Sequence, residues 1–225
     1  MTARAVAAGR PRVASAYTGS VTQSSGISIS EPRFPRMTYE EYLDADWLPE
    51  RTEWVDGEVI ESMTVSESHA RLVGWLHTLL FMFVDRGRRG RLFLDPFNMK
   101  VSPQLPGRAP DILFLRNENL SRVRPNHLEG PADLVVEVIS PGTEATDRGD
   151  KYYEYEAGGV REYWLLDPAR ETAEFFLRDA QGYFRPAALV DGVSRSRELE
   201  GFWLRPEWPF TLPPVHVVLD ELLPR

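Results

Sequence analysis

The 225-residue chain contains no cysteine and only two lysines, Lys100 and Lys151, beside 24 arginines. Without cysteine, disulfide frameworks, thiolate zinc sites and thiol nucleophiles are excluded. Long apolar runs are also missing. The longest uninterrupted one, Leu79 to Val84, is far shorter than the ~18 residues a spanning helix needs, so the expectation is a cytoplasmic protein with no membrane partner. Positive charge is in deficit as well: 26 basic against 34 acidic residues leave a formal charge of −8. That excludes a generic nucleic-acid coat, whose binding rests on neutralising phosphates, but not an enzyme that grips DNA through one local patch. What is present, 42% hydrophobic and 27% charged residues, is the balance of a globular protein.

Residues 1–34 are expected to form a disordered tail. The first thirty carry three arginines, no carboxylate and few large apolar side chains, too little to offset the entropy of ordering. Residues 35–225 are expected to form a single domain, with a core over about 36–190 and an extension over 191–225. Thr38 with Glu41 forms a capping box that opens a short helix to about residue 45. Residues 52–61 read as a hairpin turning on Asp56-Gly57. Ser66 or Ser68 caps a long helix to about residue 84, with Leu72, Trp75, Leu76, Leu79, Leu80 and Phe83 as its buried stripe. Strands follow at 91–95, 98–101, 111–115 and 133–139. A helix over 145–157 stops at Gly158-Gly159, and a strand at 161–167 ends at Pro168. Strand, helix, strand in that compass is a βαβ unit, so part of the sheet is parallel. A hairpin over 174–178 and 183–190 and a helix over 215–223 complete an α/β chain.

The strand 133–139 is the most informative. Alternation places Leu134, Val136 and Val138 on one face and Asp133, Val135, Glu137 and Ile139 on the other. Glu137 interrupts a run of the kind that is covered on both sides. A carboxylate there costs several kcal/mol unless paired, protonated or metal-bound. Asp111 stands at the rim of a wholly apolar strand, either as a turn aspartate after Pro110 or as a partner for Glu137; two carboxylates at neighbouring strand ends suit Mg²⁺. Lys151 is either an exposed i,i+4 partner of Asp147 or a chosen lysine in an arginine-rich chain. Arg86, Arg88, Arg89 and Arg91 form a dense basic patch at the end of the long helix, suited to holding a DNA backbone or to capping the helix. Tyr152, Tyr153 and Tyr155 read as core and rim residues or as base-stacking groups. No H-E-x-x-H zinc site, nucleophile elbow or Walker loop is present.

Pro110-Asp111, Val136-Glu137-Val138-Ile139-Ser140-Pro141, Asp147-Arg148, Lys151 and Gly159-Val160-Arg161-Glu162-Tyr163-Trp164-Leu165-Leu166-Asp167-Pro168 together resemble the Uma-two-type restriction endonuclease family of the PD-(D/E)XK nuclease superfamily. Glu53-Trp54-Val55-Asp56-Gly57-Glu58 and His69 resemble its N-terminal part, and the match covers about residues 36–190. The resemblance implies a restriction-endonuclease-like mixed central sheet flanked by helices, and an endonuclease hydrolysing DNA phosphodiesters with Mg²⁺, or Mn²⁺ in its place. Asp111 and Glu137 would be the acidic pair, holding the metal with the Val138 backbone carbonyl. Ile139 stands where the superfamily lysine belongs, and Lys151 on the next helix would replace it. Glu53 would be a further metal or water contact, or else a hairpin charge facing solvent. His69 would touch phosphate or serve as a helix-capping histidine. Cutting both strands implies a homodimer. Two other readings stay open: a catalytically weak or inactive nuclease-like binding module, and a metal-dependent hydrolase of another phosphodiester.

Overall fold

The computed structural model describes residues 33–61, 64–140 and 142–223. The expected tail therefore lies outside the described residues up to position 32, as does Pro141. The Thr38 hydroxyl accepts the Glu41 N–H while the Glu41 carboxylate accepts the Thr38 N–H, and this capping box starts α1 (Tyr39–Leu43). Strands β1 (Thr52–Val55) and β2 (Glu58–Glu61) pair antiparallel. Their turn residues, Asp56 and Gly57, sit at φ 49° and 89°, the left-handed pair that a tight hairpin of this hand requires. Ser66 caps α2 (Glu67–Gly87) by accepting the His69 N–H, and the helix continues to a left-handed cap at Arg88.

After the helix come β3 (Gly90–Leu94), β4 (Asn98–Lys100), β5 (Gly107–Arg108), β6 (Ile112–Arg116), β7 (His127–Glu129) and β8 (Leu134–Val138). The helix expected over 145–157 opens instead as a π-helical turn at Thr146–Asp150 and becomes regular only in α3 (Lys151–Gly158). It ends at Gly159 with φ 94°. Then follow β9 (Glu162–Asp167), β10 (Thr172–Arg178) and β11 (Phe184–Pro186). The strand expected over 183–190 is thus cut short: regular pairing ends at Pro186, and one further bond, from the Ala187 N–H to the Phe175 carbonyl at 2.7 Å, closes the ladder. β12 (Ser194–Arg195), β13 (Trp203–Leu204), α4 (Trp208–Thr211) and α5 (Val215–Leu222) end the described chain.

Six strands form the main sheet in the order β11-β10-β9-β8-β6-β3. Only the β8–β9 pair is parallel, and α3 makes its crossover, which is the expected βαβ unit. A second sheet, β2-β1-β5-β4-β7, contains two strands that had no sequence signal, because β5 and β7 are two and three residues long. The architecture is mixed α/β.

Strand β8 is covered on both faces. Leu134, Val136 and Val138 pack with Leu76, Leu80 and Phe83 of α2. Leu199, Phe202, Trp208 and Leu219 join that cluster, so the segment expected as an extension supplies part of the core. Val135 and Ile139 pack on the other face with Met99, Tyr155 and Tyr163. Each such side chain stabilises the fold by about 1.5–3 kcal/mol on full burial. Because β6 and β8 run antiparallel, with Ile112 opposite Val136, the start of β6 lies beside the end of β8. That junction positions the candidate site.

Candidate active site

Asp111 stands immediately before β6. Its Oδ2 accepts the backbone N–H of Val138 at 2.7 Å, just past the last β6–β8 backbone pair. The N–H and carbonyl of one strand residue point to the same side, so the Val138 carbonyl is turned toward the Asp111 side too. His69 Nε2 lies 3.2 Å from the Asp111 carboxylate. The first turn of α2 thus reaches the acid directly, while the opposite ring nitrogen, Nδ1, has no hydrogen-bond partner among the described residues.

Glu137 points to the face away from α2 and is 2% exposed. Its Oε1 accepts the Tyr155 hydroxyl at 2.7 Å and lies 3.1 Å from the Lys151 ammonium. Lys151, also buried, stands 3.2 Å from Asp147 Oδ1 and 3.5 Å from Glu53 Oε1. Burial drives the Glu137 carboxyl well above the usual carboxylate range, although Lys151 opposes the shift. For Lys151 burial acts in the opposite direction, but the Glu137, Glu53 and Asp147 carboxylates outweigh it and raise the ammonium well above its ordinary value. The cluster therefore keeps Lys151 charged.

Glu53 does not face solvent. Its Oε1 accepts the Ala109 N–H at 3.1 Å and its Oε2 accepts an Arg108 N–H at 3.0 Å. Arg108 also grips Glu154 with two parallel bonds of 2.7 and 2.8 Å, fixing α3 against β5. Burial would raise the Glu53 carboxyl, yet Lys151, Arg108 and the Ala109 N–H together bring it below its ordinary value. A cavity of about 670 Å³ is lined by Glu53, His69, Arg108, Asp111, Glu137, Asp147 and Lys151; Arg51 and Asp95 form an ion pair on its wall.

The structure therefore brings Asp111, Glu137, Val138, Lys151, Glu53 and His69 to one cavity. Ile139 is absent from its lining and lies in the apolar cluster with Tyr155 and Tyr163. Asp147, expected on one reading as an exposed partner of Lys151, is instead 2% exposed. Tyr155, read as core or as base-stacking, is buried with its hydroxyl on Glu137. Asp147, Lys151 and Tyr155 are spaced at i, i+4 and i+8, one stripe of a helix, and that spacing was the available signal for all three. Nothing in the sequence marked Arg108. Arg86, Arg88, Arg89 and Arg91 are not brought to the cavity. Gly90 pairs with Arg116 at the other end of β6, Arg88 caps α2, and the Arg89 guanidinium lies 4.3 Å from the Phe83 ring centre. Lys100, the second lysine, is buried with its ammonium 3.8 Å from the Trp54 ring and 4.5 Å from the Tyr39 ring.

Among the described residues no three His, Asp or Glu side chains converge as a ready-made metal centre. Two carboxylates and a carbonyl at one strand junction nevertheless fit a small hard cation such as Mg²⁺, which keeps several waters and takes one or two carboxylates from the protein. Asp111 and the Glu137 oxygen not engaged by Tyr155 and Lys151 are the donors on offer.

The crystal structure described as "a putative nuclease belonging to DUF820 from Anabaena variabilis ATCC 29413" shares the fold with a TM-score of 0.62 and 18% identity, over 78% of this chain and 98% of that one. Residues 39–207 match the model of the Uma2 family, "Putative restriction endonuclease", and the chain belongs to that family. No curated protein matches it. Among the described residues no helix is long and apolar enough to cross a membrane.

Proposed function

We propose that the chain is a divalent-metal-dependent endonuclease that hydrolyses DNA phosphodiesters, acting in the cytoplasm as a homodimer with one site per protomer. The observation that carries this reading is the convergence of Asp111, Glu137 and Lys151 on one cavity, with the amine supplied from α3 while Ile139 follows the last residue of β8. Asp111, Glu137 and the Val138 carbonyl would hold Mg²⁺, or Mn²⁺ in its place. The chemistry such an ion supplies when bound is neutralisation of phosphate charge and a lowered pKa for water.

The protein's own groups have distinct tasks. The Val138 N–H and His69 fix the Asp111 carboxylate. The Tyr155 hydroxyl and Lys151 hold Glu137 by one oxygen. Lys151, kept charged by its three carboxylate neighbours, serves as a cation for the phosphoryl oxygens of the transition state; it is too basic to remove a proton from water at neutral pH. Glu53 and Asp147 position that ammonium. Arg108 anchors Glu53 and the helix that carries Lys151.

Incubation of purified protein with supercoiled plasmid and Mg²⁺ should give nicked and linear products. EDTA should stop the reaction, and Asp111→Asn should abolish it with the fold intact. Binding without cleavage of DNA or RNA in Mg²⁺ and Mn²⁺ would establish the alternative, a nuclease-like binding module, which the isoleucine at position 139 favours.

A further inference from the structure

The cavity lies at one end of the main sheet, and a row of arginines lies at the other. Seven carboxylates line the cavity against three cations, so its own field does not attract a polyanion. At the other end, Arg161 precedes β9 and Arg178 closes β10, with the Arg178 N–H donating to the Arg161 carbonyl at 2.8 Å. An Arg197 N–H donates to the Arg178 carbonyl at 2.9 Å. These three side chains border a depression of about 220 Å³. Three acids stand beside them and each is already engaged. Asp133 accepts the Arg116 backbone N–H and the Asn119 amide and lies 3.6 Å from Arg161. Asp179 accepts the N–H groups of Gln181 and Tyr183 and pairs with Arg185. Glu198 is buried and lies 3.2 Å from Arg116 and 3.7 Å from Arg161.

Sheet order carries the row onward. From β10 through β9, β8 and β6 to β3 is four steps of about 4.8 Å, so the edge from Arg178 to Arg91 is about 19 Å long. Arg86 and Arg88, both exposed, extend it at the end of α2. Among the described residues Arg86, Arg88, Arg91, Arg178 and Arg197 form no ion pair with a carboxylate. One strand of a duplex carries a phosphate every ~3.4 Å of axis, so such an edge faces about five of them.

The geometry points to this arginine edge as a docking surface for the backbone of duplex DNA, remote from the cavity. It rests on the nuclease reading in that the partner is the polymer whose phosphodiesters the cavity would hydrolyse. From Asp111 to Arg116 is five strand residues, about 17 Å, or half of the ~34 Å helical turn of B-DNA. The edge therefore supplies the attraction that the acidic cavity lacks and leaves the duplex within half a turn of the acids. Arginine suits this task, because its planar fork meets phosphate oxygens in pairs.

The test is fluorescence anisotropy of the full chain with a labelled duplex of about 30 base pairs, titrated over several salt concentrations in EDTA. The Arg161→Gln, Arg178→Gln, Arg197→Gln triple variant should bind at least about tenfold more weakly at ~50 mM salt. Its slope of log K against log salt should fall by roughly 2.7, about 0.9 for each phosphate that an arginine no longer neutralises. The matching Arg→Lys triple should keep most of that slope. Arg86→Gln with Arg91→Gln, at exposed positions where folding is not at stake, should give an independent decrement. Thermal melting of each variant separates weakened binding from a damaged fold. Unchanged affinity and slope in both sets would overturn the inference, as would competition by polyglutamate as effective as by unlabelled DNA. Cleavage in Mg²⁺ is read separately. Arginine-independent binding with cleavage intact refutes the edge alone; arginine-dependent binding without cleavage refutes the nuclease reading alone.

Discussion

Replacement of Lys151 by methionine removes the ammonium shared by Glu137, Asp147 and Glu53 while keeping a side chain of similar length. At an effective dielectric of about 20, a charge pair at the 3.1 Å separation of Lys151 and Glu137 attracts by roughly 5 kcal/mol before desolvation is counted. Lys151 opposes the rise that burial imposes on the Glu137 carboxyl, so with the ammonium gone the variant escapes part of that loss by protonating Glu137. A carboxyl with an ordinary value of 4.5 can be held protonated at pH 7 for about 3.4 kcal/mol, at 1.36 kcal/mol per unit. The expected loss at pH 7 is therefore about 3–4 kcal/mol, within the range for breaking a buried pair. At pH 5 the same protonation costs only about 0.7 kcal/mol. The sign follows from proton binding: the variant's folded state holds a proton that its unfolded state releases, so stability rises as the pH falls. Urea unfolding followed by circular dichroism and tryptophan fluorescence at pH 7 and pH 5 measures both losses. In a Glu137→Gln background the same substitution should cost about 1–3 kcal/mol less, since the two sites share one interaction. A loss below about 1 kcal/mol at pH 7, or equal losses at both pH values, would refute this account of the cluster.

Glu53 has a lowered folded value, so its contribution is complete above the ordinary carboxyl value near 4.5 and disappears as the pH falls through the folded one. Glu53→Gln should flatten that acid limb of the stability–pH profile, as followed by chemical unfolding between about pH 3 and 6. Tyr155→Phe removes the hydroxyl 2.7 Å from buried Glu137 and should cost about 1.5–3 kcal/mol, read as a lowered urea midpoint with unchanged slope. Gly158→Ala would place a Cβ 2.5 Å from the Val101 side chain, so thermal melting should show about 1–3 kcal/mol of overpacking. Wild-type stability in that variant would mean that α3 does not pack on Val101.

The elements with strong local signals were legible in the chain. The Thr38–Glu41 box, the Asp56-Gly57 turn, the α2 stripe and the Gly159 stop each follow from one or two residues whose chemistry allows little else. The β8 alternation was equally direct, and it placed Glu137 on the face opposite Leu134, Val136 and Val138; the structure adds that α2 covers the latter. Features set by distant pairing were hidden. β5 and β7 exist because Met99 and its neighbours offer a ladder to them, which no local pattern reveals. The exposed and buried readings of Lys151 and Glu53 could not be separated from spacing, because the outcome depends on α3 folding back over β8 and on Arg108 linking Glu53 to Glu154. The arginines at residues 86–91 stood out in composition, but only the sheet order shows that they belong to an edge shared with Arg161 and Arg178 rather than to the cavity.

The central claim is that Glu137 and its partners form a metal-dependent phosphodiesterase centre. Single-turnover cleavage of a labelled duplex in Mg²⁺ by wild type and Glu137→Gln, with both proteins shown to unfold cooperatively, tests it most directly. The account predicts cleavage by wild type that EDTA abolishes, and a loss of at least about 10²–10³-fold in the variant, the scale for removing one group that stabilises transition-state charge. Equal cleavage by the two proteins, or cleavage that persists in EDTA, would contradict it.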